Sequence, residues 1–178
     1  MENDILRIIL DEDTLKKRVK ELGKKISEDF RDEFPVIICI LRGGVIFFSD
    51  LIKEIDTHVE IDFLSLSSYG KSTNSSGVVK IRKDIDTNIE NRHVIVVEDI
   101  VDSGLTLKYI FEYLQKHNPA SLNICTLLDK PDAHKTDLEM NYVGFNVGNE
   151  FVVGYGLDYA EKYRNLPFIG ILKKEIYT

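Results

Sequence analysis

The chain has 178 residues, 43% of them hydrophobic, and a formal net charge of −7. That is enough for one domain over residues 1–178 with a sizeable core, and the acidic balance gives no reason to expect nonspecific binding to nucleic acid. No apolar run is long enough to span a bilayer, and the charged start lacks the apolar segment of a secretory signal.

In chain order, Asp13 and Thr14 are placed to cap a helix whose Leu15, Val19, Leu22, Ile26 and Phe30 share one face. Pro35 opens "PVIICIL", a continuous apolar run of the kind buried on both faces of a sheet. "LRGG" breaks it, and "VIFFSDLIKEI" reads as the helix that follows. "HVEIDFLSLSSY" and "VVKIRKDI" alternate and are expected to pair antiparallel. Between them, "GKSTNSSG" is small and polar, a mobile loop by composition. "HVIVVEDI" is a second buried strand. A helix is expected from Gly104 to His117, where Asn118-Pro119 ends it. "SLNICTLL", "YVGFNV", "FVVGYG" and "FIGIL" are further strands. Cys39 and Cys125 sit inside apolar runs and read as reduced core residues of a cytosolic protein. The four histidines are scattered, with no metal-ligand spacing.

Buried strands alternating with helices imply an α/β fold with a mostly parallel sheet flanked by helices. In such sheets ligands bind beyond the carboxyl ends of the strands. "LRGG", "EDIVDSGLT", "LLDKPD" and "GYGLDYAEKYR" all fall there.

The stretch "VIVVEDIVDSGLTL" is the most informative. A strand runs into a small Gly-containing turn and a helix, whose first backbone N–H groups attract an anion. Ser103 and Thr106 add hydroxyls, and Gly104 admits close backbone approach. The Lys-Ser/Thr ending of a Walker loop is absent. Glu98, Asp99 and Asp102 repel one another at one strand end. Their place beside a phosphate cradle makes sense if they face cations or hydroxyl donors. A ribose phosphate offers both needs at once.

This stretch resembles the phosphoribosyl diphosphate (PRPP) motif of type I phosphoribosyltransferases. With "LRGG", "SSYG", "LLDKP" and "FVVGYGLDYAEKYRNLP" in that order, nearly the whole chain resembles the hypoxanthine-guanine phosphoribosyltransferases. The resemblance implies the type I fold, with a small hood from the terminal segments and an active-site lid at about 68–77. It implies transfer of ribose 5-phosphate from PRPP to a 6-oxopurine, with Mg2+ required and diphosphate released. Asp102, Ser103, Gly104, Leu105 and Thr106 are then the 5-phosphate loop, and Glu98 and Asp99 face the ribose hydroxyls and metal-bound water. Asp102 is the proton-transfer group beside N7 of the purine. The peptide before Arg42 is cis, and Arg42, Gly43, Ser68, Tyr69 and Arg164 meet diphosphate. Lys130 reaches the purine O6, Phe151 stacks on the ring and the Val152 backbone meets its edge. Asp158 belongs to the same end of the site and to a Mg2+ on diphosphate. Tyr155, Tyr159 and Tyr163 are packing residues. A cytoplasmic homodimer or homotetramer, with no nucleic-acid or membrane partner, is also implied.

Three alternatives share some of these features. An RNA-binding attenuator of the same fold needs a basic face, which an acidic chain with a purine-site tail does not offer. A phospho-accepting receiver domain needs an acid pair at its first strand, which "PVIICILRGG" lacks. Preference for xanthine or guanine within the family stays open at this stage.

Overall fold

The computed structural model describes residues 1–68 and 79–178. Strand β1 (Ile5–Leu10) leads into helix α1 (Glu12–Asp29). Then come β2 (Val36–Leu41), α2 (Val45–Lys53), β3 (Glu60–Ser68), β4 (Val79–Lys83) and β5 (His93–Val101). Helix α3 (Leu105–Gln115), β6 (Ser121–Asp129), β7 (Tyr142–Asn146), β8 (Val152–Val153), β9 (Ile169–Leu172) and the short α4 (Lys174–Tyr177) complete the chain.

A six-stranded sheet in the order β4-β3-β2-β5-β6-β7 forms the centre. All its pairings are parallel except β3–β4, which is antiparallel as expected. Alternation along each strand sends side chains to opposite faces. Ile37, Cys39, Ile95, Val97, Cys125 and Leu127 face α1 and α2. Val36, Ile38, Ile40, Val94, Val96 and Ile124 face α3 through Leu107, Ile110 and Leu114. The fold is therefore α/β with both sheet faces covered, which is why β2 and β5 are continuously apolar. Among the described residues, no helix is long and apolar enough to cross a membrane.

Helix α1 buries Leu15, Val19, Leu22, Ile26 and Phe30 as its periodicity predicts. Its cap differs from expectation. Asp11, not Asp13 or Thr14, is the N-cap, and its Oδ1 accepts from Thr14 N–H at 2.8 Å. The earlier start leaves Glu12 and Asp13 in the first turn, where acids favour the helix dipole.

A second, antiparallel sheet in the order β1-β9-β8 makes the hood. β1 had no counterpart in the sequence reading. The hood joins both terminal segments and has its own small core of Val153, Tyr163, Leu166 and Leu172. Tyr163 is buried there with its hydroxyl donating to Asp4, whereas Tyr155 is buried against the main core and donates to Asp50 of α2.

The order of the central strands sets the place of the site. From β2 the chain crosses to β3 on one side, and from β5 it crosses to β6 on the other. A crevice opens where neighbouring strands send their chains apart, beyond the carboxyl ends of β2 and β5.

Candidate active site

The connection after β2 turns through Arg42 and Gly43, and the Leu41–Arg42 peptide is cis. Asp99 lies directly against this turn. A Cβ on Gly43 would come 1.7 Å from Asp99 Oδ2, so any larger residue would push the Asp99 carboxylate out of its place beside the turn.

At the end of β5, Glu98 Oε1 accepts from the Asp99 N–H at 3.1 Å, and Asp99 Oδ1 from the Ile100 N–H at 2.9 Å. Burial, reinforced by the like charge of Asp99, pushes the Glu98 carboxyl well above its ordinary value. A bound cation or hydroxyl donor relieves both causes. Behind them, burial and the same two carboxylates push the Cys39 thiol up to about 12, so it behaves as an inert core residue.

The turn from β5 into α3 forms a recess lined by Glu98, Ile100, Asp102, Ser103, Gly104 and Thr106. Gly104 caps α3 with φ +75°, and a Cβ there would come 2.5 Å from Thr136 Oγ1. Lys135 N–H donates to the Ser103 carbonyl at 2.9 Å, so the segment after β6 braces the turn from outside. The first amides of α3, with the Ser103 and Thr106 hydroxyls, give this recess the chemistry of an anion cradle.

Lys130 follows β6 and is only 8% exposed. Its N–H donates to the Val101 carbonyl at 2.9 Å. Its Nζ donates to the Glu150 carbonyl at 3.3 Å and lies 3.9 Å from Asp102 Oδ2. From "LLDKPD" alone it reads as a solvated loop lysine, yet here it is enclosed between the cradle and the hood. Asp129 beside it is buried and pairs with His134 Nε2 at 2.6 Å.

The hood supplies the opposite wall. Val152 is buried, while Phe151, a core residue by its strand context, stays 36% exposed. Arg164 Nη2 lies 2.8 Å from Asp158 Oδ1, and Arg164 Nη1 donates to the Gly156 carbonyl at 2.7 Å. Glu161 Oε2 lies 3.0 Å from Arg42 Nη1 and 3.3 Å from Arg164 Nη2. One carboxylate thus links the two arginines expected at diphosphate. Ser68 ends β3, whereas Tyr69 and most of the lid expected at about 68–77 lie outside the described residues.

Among the described residues, no group of three or more His, Cys, Asp or Glu could hold a metal ion by itself. The available donors are the Glu98–Asp99 pair and Asp158. Such a sparse carboxylate set suits a cation that keeps water and substrate oxygens as most of its ligands, the habit of Mg2+.

The phosphoribosyl transferase domain model matches residues 7–160. A hypoxanthine-guanine phosphoribosyltransferase of Bacillus subtilis is 51% identical over 99% of this chain and 98% of its own. The chain belongs to the hypoxanthine-guanine phosphoribosyltransferase family. Solved structures agree with that. A hypoxanthine phosphoribosyltransferase of Staphylococcus aureus superposes with a TM-score of 0.96, at 50% identity, covering 100% of this chain and 97% of that one. A hypoxanthine-guanine phosphoribosyltransferase of Bacillus anthracis gives 0.91 at 51% identity, covering 95% and 99%.

This phosphoribosyltransferase, an enzyme of the pentosyltransferase class, brings the residues expected at its site into two groups. Arg42, Gly43, Asp99, Asp158 and Arg164 gather where the β2 turn meets the hood. Glu98, Asp102, Lys130 and the cradle gather at the ends of β5 and β6. Sequence reasoning missed Glu161. Nothing local marks it: the segment from Asp158 to Arg164 is not helical, with Ala160, Glu161 and Tyr163 at positive φ, so its three-residue spacing implies no shared face. It also missed Asp129 with His134, for which a single strand-end acid gave no signal.

Proposed function

We propose that the enzyme transfers ribose 5-phosphate from PRPP to hypoxanthine or guanine, with Mg2+, and releases diphosphate. The observation that carries this reading is Lys130: an enclosed ammonium beside Asp102 at one end of a phosphate cradle. An enclosed donor with an acid beside it suits a 6-oxopurine, which presents an acceptor at C6 and a transferable proton on its ring.

In this reading the α3 amides, Ser103 and Thr106 hold the 5-phosphate, and Glu98 and Asp99 accept from the ribose hydroxyls. Lys130 donates to O6, and Phe151 stacks on the base. Arg42 and Arg164 face diphosphate, where charge develops as the anomeric C–O bond breaks and its electron pair leaves with diphosphate. The C–N bond to the purine forms as Asp102 takes the ring proton. Asp158, Glu98 and Asp99 are the residues that would hold Mg2+, which when bound would neutralise charge at diphosphate. The same reading puts the chain in the cytoplasm, in keeping with two buried cysteines that form no disulfide.

Purified protein with PRPP, Mg2+ and each purine base tests this. Expected products are inosine and guanosine monophosphate, with turnover lost on chelation of the metal. Binding of PRPP without turnover of any 6-oxopurine refutes the reading.

A further inference from the structure

Phe151 has two ring faces, and one is already taken. Tyr177 stacks on it with ring centroids 4.9 Å apart and planes 23° apart. Tyr159 meets Phe151 edge-on at 5.6 Å and 90°. Tyr159 and Tyr177 close the triangle at 6.4 Å and 67°. The 36% of Phe151 that stays exposed is what these two tyrosines leave uncovered.

The backbone ties the same elements together. β9 pairs with β8 so that Ile171 lies opposite Val152, and the Leu172 N–H donates to the Phe151 carbonyl at 2.9 Å. Two residues beyond that bond the chain turns into α4, which carries Tyr177. Tyr177 and Ile176 then pack onto the hood core of Val153, Tyr163, Leu166 and Leu172. The strand that sets the register of Val152 therefore also delivers the ring that lies on Phe151.

A lone phenylalanine at a strand edge is free to turn about its side-chain bonds. A stacked partner on one face and an edge contact at the side fix its plane, since aromatic pairs prefer these two geometries. We propose that Tyr177 is a positioning residue for purine binding: it holds the Phe151 ring in the plane that the base stacks against. This rests on the reading of Phe151 as the purine platform. Tyr177 itself needs no contact with the base, because it acts from the far side of the ring.

The test is steady-state kinetics at saturating PRPP and Mg2+, with guanine varied, and then the converse. Tyr177→Ala is expected to raise KM for guanine by about 3- to 10-fold, the scale of one aromatic pair. KM for PRPP and kcat should stay as in the wild type. Tyr177→Phe keeps the stacked ring and should restore the wild-type KM. Tyr177→Leu keeps bulk but not the ring plane. It should behave like Tyr177→Ala, and it decides the matter if the alanine variant fails to fold. A Tyr177→Leu enzyme with wild-type KM for guanine overturns the proposal. So does a parallel rise in KM for PRPP, because that marks general loosening of the hood, which also carries Asp158 and Arg164. Phe151→Leu separates the two levels. If it raises KM for guanine while the Tyr177 variants do not, the platform stands and the positioning role falls. If Phe151→Leu changes nothing, the platform reading falls and takes this proposal with it.

Discussion

Lys130 is held on three sides, by the Val101 carbonyl at its backbone and by the Glu150 carbonyl and the Asp102 carboxylate at its ammonium. A lysine ammonium only donates. Hypoxanthine and guanine offer it an acceptor at C6, whereas adenine offers an amino group and sets donor against donor. An unpaired polar group costs roughly 1–3 kcal/mol and a charged one more, so the ammonium is expected to give at least about a tenfold preference in kcat/KM for 6-oxopurines over adenine. Lys130→Ala is expected to lower kcat/KM for both oxopurines and narrow their advantage over adenine, with PRPP affinity little changed. Unchanged kcat/KM for both oxopurines would assign the reading of O6 to another group. Asp102 makes a separate prediction. General acid-base groups contribute about 10²–10⁴-fold to rate, so under the proposed proton-acceptor role Asp102→Asn should lower kcat and spare PRPP binding measured by calorimetry. Equal kcat in variant and wild type, when chemistry limits turnover, would leave Asp102 with a structural role.

At the scale of elements, Asp62 shows how a strand pair is anchored. It is buried in β3, and its carboxylate accepts from the N–H groups of Phe63 (2.6 Å), Asp86 (2.7 Å) and Thr87 (2.8 Å). The last two belong to the chain just beyond β4, so one side chain pins the exit of the antiparallel pair. Burial works against the charge, but the Thr87, Phe63 and Asp86 amides outweigh it and hold the carboxyl below its ordinary value. A depressed carboxylate pKa stabilises the fold above the unfolded value, and that contribution disappears as pH falls through the folded value. Asp62→Asn is therefore expected to lose about 2 kcal/mol at neutral pH, the scale of hydrogen bonds to a charged group. Denaturant melts should show the gap from wild type shrinking only below about pH 4, near the unfolded pKa of an aspartate. A gap that is constant from pH 7 down to acid unfolding would remove the charge from the explanation.

Most elements were legible because their burial is locally written. β2 and β5 lie inside the sheet and are apolar throughout, and α1 carries one apolar face. β1 was not legible for the opposite reason. It is a six-residue edge strand with Leu6 and Ile8 exposed and Arg7 between them, so neither burial nor alternation marks it. The acid-rich turn could be read as a site because like charges next to a phosphate cradle have few other uses. The pairings of Arg42 with Glu161 and Phe151 with Tyr177 could not, since each joins residues brought together only by the hood.

On the scale of the whole molecule, the proposed phosphate cradle and the proposed stacking platform for the base stand on different sheets. The cradle and the acid pair belong to β5 and α3 of the central sheet, whereas Phe151 and Val152 belong to the hood. β8 depends on β9, and β9 is flanked on its other side by β1. Removing residues 1–10 is expected to raise KM for the base by more than it weakens PRPP binding. Calorimetry with PRPP beside base kinetics measures both, and equal losses would show that the two ends do not separate in this way.

The pairing of β1 with β9 also orders events in time. About 160 residues separate the two strands, and at about 5–20 residues per second a ribosome takes on the order of 8–30 s to make that length. Strand β1 emerges that much earlier than β9 and must wait for the whole intervening chain before its partner exists. Strand β5 and helix α3, which form the proposed cradle, are complete well before then. A nascent chain can therefore hold the proposed phosphate cradle for some time before β9 exists to pair with β8 and set the proposed base platform in place.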